Sequence, residues 1–339
     1  MVQLETPLTE LLSIETPIIQ APIGGATTPE LVATVSNAGA LGMLSLTWRS
    51  PEEARELIRQ TRLLTSKPFG INLVLEWDPS DRLAIAIEEQ VALISFFWGD
   101  PGPWIADCHA ADILVSHSVG SPQEAVRSVE QGVDFIVAQG VEAGGHVWGE
   151  VGTMALVPAV ADAIPGTPVV AAGGIADGRG FAAALALGAA GIWMGTRFLL
   201  AREAPIHTEY RSRLERSSVT DTVLTDIFDD GWPNAPLRTL RNPTYEAWVA
   251  AGRPSPDLRT DSEDVIAIRS DGSDILRYQG DFPTEDVTGD LASMVQYAGQ
   301  SVGLIDRSAC ASEIVETVTA QAVEVMVRLG ADHRSILPA

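Results

Sequence analysis

The sequence is poor in lysine, cysteine and histidine: its 339 residues include a single lysine, two cysteines and five histidines. Cys108 and Cys310 are too few and too far apart for a disulfide framework or a zinc site. No apolar run reaches the roughly 18 residues that a membrane-spanning helix needs. The N-terminal segment is acidic and lacks the basic region and the cleavage site of a signal peptide. These absences predict a cytoplasmic protein that does not bind a membrane.

Positive charge is also scarce, because 45 acidic residues outnumber 22 basic ones and give a formal net charge of −23. Such a field repels nucleic acids and anionic membranes, so we expect neither as a partner. The acidity favours a protein adapted to high salt, where counter-ions screen the repulsion between its own charges. A GC-rich genome would explain the replacement of lysine by arginine, but it would leave the acidic excess unexplained.

The first two hundred residues repeat one unit, which consists of a short apolar run, a turn and an amphipathic helical pattern. Continuous apolar strands that alternate with helices are typical of a parallel sheet covered by helices. Eight units of about 25 residues predict an α/β fold in the form of a closed (β/α)₈ TIM barrel. The eight predicted strands are residues 18–23, 41–46, 69–75, 93–98, 112–118, 134–140, 168–174 and 191–198.

An open, doubly wound sheet is the alternative fold. Such a sheet more often carries a glycine-rich G-x-G-x-x-G turn after its first strand. Here the first strand continues into QAPIGGATTPE, which lacks that spacing. The barrel is therefore the better prediction.

The regular spacing ends after the eighth strand, and residues 205–289 contain helical pieces and a hairpin pattern that turns at Asp271 and Gly272. We predict that this segment is a smaller, partly helical cap that shapes the substrate pocket. Residues 1–204 and 290–339 would then form the barrel. They would include two further helices, one near 290–300 and one from Ala309 to Leu329.

Glycines follow two neighbouring strands at the end of the barrel where TIM-barrel enzymes carry their sites. Gly173 and Gly174 end the seventh predicted strand, and Gly195 and Thr196 lie in the last part of the eighth. A backbone without Cβ can approach phosphate oxygens closely, and the threonine hydroxyl can donate a further hydrogen bond. Glycines that only turn the chain would need no such pairing. The pattern therefore predicts a phosphate site.

The run QGVEAGGH, residues 139–146, directly follows the sixth strand and places His146 on a glycine-rich loop at the barrel mouth. A neutral imidazole is suited to removing a proton from a carbon acid near pH 7. A lone histidine is more often structural, but its position at a strand end favours catalysis here. His117 ends the fifth strand and is a weaker candidate. No histidine or carboxylate pair has metal-ligand spacing, so we expect no metal, and no Ser/His/Asp triad is recognisable.

Several motifs resemble the nitronate monooxygenases, formerly called 2-nitropropane dioxygenases. They are QAPIGG with TTPELVATVSNAGALG, GINL, AQGVEAGGHVWG, AAGGIADGRGFAAALALGAAGIWMGTRFL and YAGQSVGLI. The resemblance implies a bound FMN and His146 as the catalytic base. It also implies that the flavin is contacted by Ala21, Pro22, Ile23, Asn72, Gln139, Gly144, Gly145, Gly173, Gly174, Gly195, Thr196 and Gln300.

The activity implied by the resemblance is oxidation of alkyl nitronates or nitroalkanes with O₂ to carbonyl compounds and nitrite. The alternative within the same fold is an NAD(P)H-dependent FMN reductase that acts on a quinone or an enoyl thioester. Outside this class, the alternatives are a protein that stores FMN without turnover and a phosphosugar barrel without flavin. We expect a small-molecule substrate and O₂ as partners and leave open a homo-oligomer.

Overall fold

The computed structural model describes residues 4–332, and its centre is an eight-stranded parallel sheet in the order β1-β9-β8-β6-β5-β4-β3-β2. A parallel bridge between Ile19 and Leu41 joins the two outer strands of this order and closes the sheet. The prediction of a TIM barrel is confirmed. The strands of the barrel are β1 (Ile18–Gln20), β2 (Gly42–Ser45), β3 (Phe69–Val74), β4 (Leu93–Phe97), β5 (Leu114–Val119), β6 (Phe135–Gln139), β8 (Val169–Ala172) and β9 (Gly191–Met194).

Side chains that alternate along the strands form two separate cores. Inward-facing residues such as Met43, Leu93 and Phe135 pack inside the barrel, and Leu8 and Leu12 join them there. The outward-facing residues pack against the surrounding helices and form the larger core. Because the lower part of the barrel is filled with apolar side chains, open space remains only toward the C-terminal ends of the strands, where the cavity described below lies.

Serine side chains cap the N-termini of two helices of the outer ring. Ser50 and Ser121 accept hydrogen bonds from backbone N–H groups in the first turns of their helices. None of the helices within residues 4–332 is long and apolar enough to cross a membrane. The helices up to the cap are α1 (Pro7–Leu12), α2 (Pro29–Asn37), α3 (Pro51–Leu64), α4 (Ser80–Glu88), α5 (Gly102–Ala110), α6 (Pro122–Glu130), α7 (Thr153–Ala163), α8 (Gly178–Ala186) and α9 (Thr196–Leu199).

The last helix, α12 (Ala311–Asp332), packs against α8 and α2 on the outside of the barrel. The contact with α8 is close at Gly178, where an added Cβ would lie 2.3 Å from the backbone nitrogen of Ala322. The C-terminal helix therefore returns to the barrel wall and completes the outer layer.

Residues 205–289, which we call the cap segment, contain two helices and five short strands. The hairpin turn is found at Asp271 and Gly272, and Gly272 has a φ of +86°. The short strand β7 (Gly145–His146), which lies on the loop after β6, pairs antiparallel with β11 of the cap segment. The elements of the cap segment are α10 (Thr208–Arg216), β10 (Thr222–Thr225), β11 (Leu237–Leu240), α11 (Pro243–Ala250), β12 (Val265–Arg269), β13 (Asp274–Leu276) and β14 (Val287–Gly289).

Two predictions of secondary structure are wrong. The eighth barrel strand ends at Met194, and residues 196–199 turn into the short helix α9 instead of extending the strand to 198. A short apolar run does not by itself distinguish a strand from a helix. The helix predicted near 290–300 is absent, because this segment is bound in a non-helical form by side chains of the cap. Asn242 donates to the carbonyl of Met294 at 2.8 Å, and Thr244 donates to that of Ser293 at 2.6 Å.

Candidate active site

A cavity of about 1050 Å³ lies at the C-terminal ends of the barrel strands and extends under the cap segment. Ligand sites in proteins usually measure about 300–1000 Å³, so this cavity has room for a cofactor and a substrate together. The predicted site residues that line it are Ala21, Pro22, Ile23, Asn72, Gln139, Gly144, Gly145, His146, Gly173, Gly174, Gly195 and Thr196.

Gln300 is the predicted site residue that the structure does not bring to the cavity. Its side chain is exposed, while Gly299 and Ser301 on either side line the cavity. The backbone N–H of Gln300 donates to the carbonyl oxygen of Glu142 at 2.9 Å. The structure therefore leaves the Gln300 side chain outside the lining of the cavity, and its contact with the flavin stays a prediction.

The loop that carries His146 is held from both sides. On the barrel side, the amide of Gln139 donates to the carbonyl of His146 and accepts from the N–H of Trp148, both at 3.1 Å. On the other side, Gly145 and His146 pair with Arg238 and Leu237 of the cap segment. The imidazole is therefore carried by a loop whose backbone is held by hydrogen bonds on both sides.

Glu142, which stands in the middle of the QGVEAGGH run, supports this loop and does not line the cavity. Its carboxylate accepts from the N–H of Thr153 at 2.9 Å and lies 3.0 Å from the hydroxyl of the same residue. That hydroxyl is also 3.0 Å from the carbonyl oxygen of Gly173. Glu142 thus links the loop to the start of α7 and to the glycines after β8.

The fold requires glycine at positions 144 and 145 of the QGVEAGGH run. A Cβ on Gly144 would lie 2.4 Å from the backbone nitrogen of Gly299, so only glycine allows the two segments to touch. Gly145 has a φ of +77°, which other residues rarely adopt. Together they allow the chain to pass close to residues 298–299 and then place His146 in the cavity wall.

The imidazole of His146 is covered by aromatic rings. Trp232 of the cap segment stacks on it with ring centroids 3.9 Å apart and planes at 28°, while Trp98 and Tyr297 lie at 6.3 and 6.0 Å. Its Nε2 atom is buried and has no hydrogen-bond partner in the described chain. Burial lowers the pKa of His146 to about 4. The imidazole is therefore neutral at pH 7, as proton abstraction requires.

His117 is not part of the cavity. Its Nδ1 atom lies 2.8 Å from the hydroxyl of Ser128 on α6, and its Nε2 atom is buried without a partner among the described residues. Burial lowers the pKa of His117 to about 4 as well. The next residue, Ser118, lines the cavity instead, because successive side chains of a strand point to opposite faces.

The most prominent feature that the sequence analysis missed is a group of five tryptophans around His146. Their rings touch in a continuous network with centroid distances of 4.5–6.3 Å. The signal available in the sequence is that four of them closely follow strands and therefore lie near the barrel mouth. The residues are Trp48, Trp77, Trp98, Trp148 and Trp232.

No group of three or more metal-ligating side chains occurs within residues 4–332. The chemistry that the residues themselves offer is that of one neutral base, backbone donors on glycine-rich turns, and an aromatic surface around the imidazole.

Comparison with known proteins identifies relatives of this architecture. The sequence model of the family described as nitronate monooxygenase matches residues 5–86 and 77–321. A protein of Rhodococcus jostii (strain RHA1), named (3aS,4S,5R,7aS)-5-hydroxy-7a-methyl-1-oxo-octahydro-1H-indene-4-carboxyl-CoA dehydrogenase, is 34% identical over 98% of this chain and 99% of its own length. The nitronate monooxygenase of Pseudomonas aeruginosa is 38% identical over 64% of this chain and 75% of its own length. The solved structure of FabK from Thermotoga maritima is 34% identical, with a TM-score of 0.82 over 97% of this chain and 99% of that chain.

Proposed function

The chain belongs to the nitronate monooxygenase family and is an oxidoreductase, and we propose that it is an FMN-dependent nitronate monooxygenase with His146 as its catalytic base. The observation that carries this proposal is the neutral imidazole of His146 in the wall of a cavity with room for a flavin and a substrate. The substrate class is an alkyl nitronate or nitroalkane, with O₂ as oxidant and a carbonyl compound and nitrite as products.

The residues at the ends of β8 and β9 fit the phosphate of FMN. Among the described residues, the backbone N–H groups of Gly174 and Gly195 donate to no other protein group. The hydroxyl of Thr196 accepts from the N–H of Gly299 at 2.9 Å, which leaves its own hydrogen free to donate. Such N–H groups on glycine-rich turns are typical of phosphate binding in TIM barrels. When bound, FMN supplies the redox chemistry, that is, the transfer of electrons from the substrate to O₂.

The protein's own part in the reaction is to hold and deprotonate the substrate. His146 takes a proton from the α-carbon of a neutral nitroalkane, and its imidazole is available for this because burial keeps it unprotonated. Gln139 holds the loop backbone on both sides of His146, which keeps the imidazole in place. Trp232 covers one face of the ring and excludes bulk water from the site.

The test of this proposal is an anaerobic stopped-flow comparison of flavin reductants. We expect that ethyl nitronate or nitroethane bleaches the bound flavin and that NADH and NADPH do not. Mixing with O₂ afterwards should restore the flavin spectrum and release nitrite. Rapid bleaching by NAD(P)H, with no reduction by nitronate, would contradict the proposal.

FMN binding is tested separately. Gly174→Asp and Gly195→Asp each place a carboxylate beside the proposed phosphate, so we expect the purified variants to have lost most of their FMN. Gly166→Asp is a matched control for Gly174→Asp, because the two glycines have positive φ values of +90° and +74° and Gly166 lies outside the cavity. Full FMN content in both cavity variants would place the phosphate elsewhere.

A second candidate function is an NAD(P)H-dependent FMN reductase that acts on an enoyl thioester or a quinone. It is favoured by the dehydrogenase of R. jostii, whose name specifies a carboxyl-CoA substrate and which this chain matches over nearly its full length. The carboxylates of Asp230, Glu285 and Asp286 in the cavity wall argue against a highly anionic substrate or cosubstrate, because like charges repel. The stopped-flow comparison distinguishes the two candidates.

We also propose a cytoplasmic location and partners limited to small molecules, O₂ and a second copy of the chain. They rest on the two free cysteines and the net charge of −23.

A further inference from the structure

Three of the five tryptophans form a continuous surface in the cavity, which we call the tryptophan wall: Trp48, Trp77 and Trp232. The ring of Trp77 lies 4.9 Å from that of Trp232 and 5.5 Å from that of Trp48, with ring planes at 71° and 69°, so the indoles meet edge to face. The three residues come from different parts of the chain, namely the loops after β2 and β3 and the cap segment, and all of them line the cavity. The wall therefore arises from the tertiary structure and connects the barrel mouth with the cap.

The wall runs from the catalytic histidine to solvent. At its inner end Trp232 is only 6% exposed and stacks on His146, whereas at its outer end the residue Trp48 is 55% exposed. An indole that lies on the wall of a cavity and remains half exposed has apolar surface available for a ligand. The cavity therefore has a continuous aromatic surface from its solvent-exposed rim to the imidazole of His146.

A single free positive charge lies beside the outer end of the wall. Arg49 follows Trp48 in the chain and lines the cavity, and its guanidinium forms no hydrogen bond or ion pair among the described residues, although it attracts Glu53 at longer range. The other arginine of the lining, Arg269, is paired with Asp281 at 2.5 Å. The remaining charged residues of the lining are carboxylates of the cap segment.

We propose that the cavity takes a substrate with an apolar body, such as a bicyclic or conjugated ring system, that packs against the tryptophan wall. Its reactive carbon lies at His146, and one anionic group is bound by Arg49. This inference rests on the proposed active site and specifies the shape and charge of its substrate. Such a substrate differs from a compact nitroalkane, which would leave most of this apolar surface without a contact.

The test is a binding experiment that needs no turnover. The dissociation constants of 2-naphthoate, 2-naphthylmethanol and acetate are measured by isothermal titration calorimetry on the purified full chain. We expect 2-naphthoate to bind at least tenfold more tightly than acetate. In Trp48→Ala and Trp77→Ala the affinity for 2-naphthoate relative to acetate should fall about five- to tenfold, the usual worth of an aromatic contact and its buried area. Arg49→Gln should weaken binding of 2-naphthoate and leave that of the uncharged 2-naphthylmethanol unchanged.

The matched control is Trp248→Ala, because Trp248 lies in the cap segment but outside the cavity and donates its indole N–H to the carbonyl of Pro254. We expect this variant to bind all three ligands as the parent protein does. Equal affinity of the parent for 2-naphthoate and acetate would overturn the proposal, and so would equal losses in Trp48→Ala and Trp248→Ala. A protein that binds 2-naphthoate through the wall and fails to oxidise any nitronate would retain this inference and lose the proposed reaction.

Discussion

His117 is buried and His146 is half-buried, yet both share properties by which a functional histidine is usually recognised, and they lie in different surroundings. Burial lowers the pKa of both to about 4, and both have a buried Nε2 atom without a partner among the described residues. His117 lies on β5, with its ring next to Ser128 of α6, whereas His146 lines the cavity and stacks on Trp232. Desolvation therefore lowers the pKa in both cases. The position relative to the cavity distinguishes the candidate base, His146, from His117 on β5.

The largest expected difference between the two residues is in catalysis. If His146 is the base, His146→Asn should lower turnover of a neutral nitroalkane by about two to four orders of magnitude, while FMN content stays normal. His117→Asn should retain the parental rate, because His117 does not line the cavity. The measurement is steady-state turnover of nitroethane as a function of pH.

In the parent protein the rate should rise with pH through an ionisation near 4, the lowered pKa of His146, and this limb should be absent in His146→Asn. A pre-formed nitronate needs no deprotonation, so its oxidation should fall much less in the variant. Equal losses on both substrates, with the pH limb retained, would show that His146 positions or binds the substrate and is not the base.

The second prediction concerns stability in acid, where the two histidines should behave alike. An unfolded histidine takes up a proton near pH 6.5, but each folded one does so only near 4. Between these values the unfolded state binds more protons, so the free energy of unfolding falls as the pH falls from about 6.5 to about 4. The loss should be on the order of 3 kcal/mol for each histidine.

The measurement is urea denaturation at several pH values for the parent, His117→Gln and His146→Gln. Each variant should show a shallower decrease of the free energy of unfolding over this range than the parent. A variant whose decrease is as steep as that of the parent would show that the replaced histidine is not held neutral by burial.

The third prediction is that Trp232 lowers the pKa of His146 and has no effect on the pKa of His117. In Trp232→Leu, water should reach the imidazole of His146 and raise its pKa by about one unit, because desolvation is what lowers it. The pKa of His117 should not change. Trp77→Leu is the control, because Trp77 touches Trp232 and has no ring contact with His146.

NMR titration of ring-labelled histidines measures both pKa values in one experiment and does not depend on activity. If the pKa of His146 stays near 4 in Trp232→Leu, another group is responsible for its desolvation. An equal rise in Trp77→Leu would point to loosening of the whole aromatic network.

The smallest effect concerns salt. If the net charge of −23 is an adaptation to high salt, the melting temperature should rise by a few degrees from dilute buffer to about 2 M KCl, as screening reduces self-repulsion. Because both imidazoles are neutral at pH 7, the His117 and His146 variants should show the same salt dependence as the parent. A melting temperature of the parent that does not change with KCl would leave a GC-rich genome as the remaining explanation for the composition of the sequence.

The features that could be predicted from the sequence are those determined by neighbours in the chain. Apolar strands alternate with helices, Ser50 and Ser121 cap their helices, and Gly39 adopts a φ of +83° at the end of α2. The loop before His146 could be placed for the same reason, since it directly follows a recognisable strand. Such signals need no knowledge of the tertiary structure.

What could not be predicted depends on contacts between distant parts of the chain. The segment near 290–300 is non-helical because Asn242 and Thr244 bind its carbonyl groups. The supporting role of Glu142 depends on its hydrogen bond with Thr153, which only the folded structure shows. The exposure of the Gln300 side chain, whose backbone N–H donates to the carbonyl of Glu142, is likewise known only from the fold. The stack of Trp232 on His146 joins residues 86 positions apart, and no periodicity in the sequence indicates it.

The pairing of β7 with β11 has a consequence for protein engineering. Exchange of the cap segment between relatives is an obvious way to transfer substrate preference, and junctions near residues 205 and 289 would be chosen first. Such a chimera would place a foreign strand against Gly145 and His146, where Leu237 and Arg238 now pair with them. It would also remove the bonds from the Arg238 guanidinium to the carbonyl of Val141. A transplanted cap must therefore bring the loop 139–148 with it, or leave the host's strand 237–240 in place.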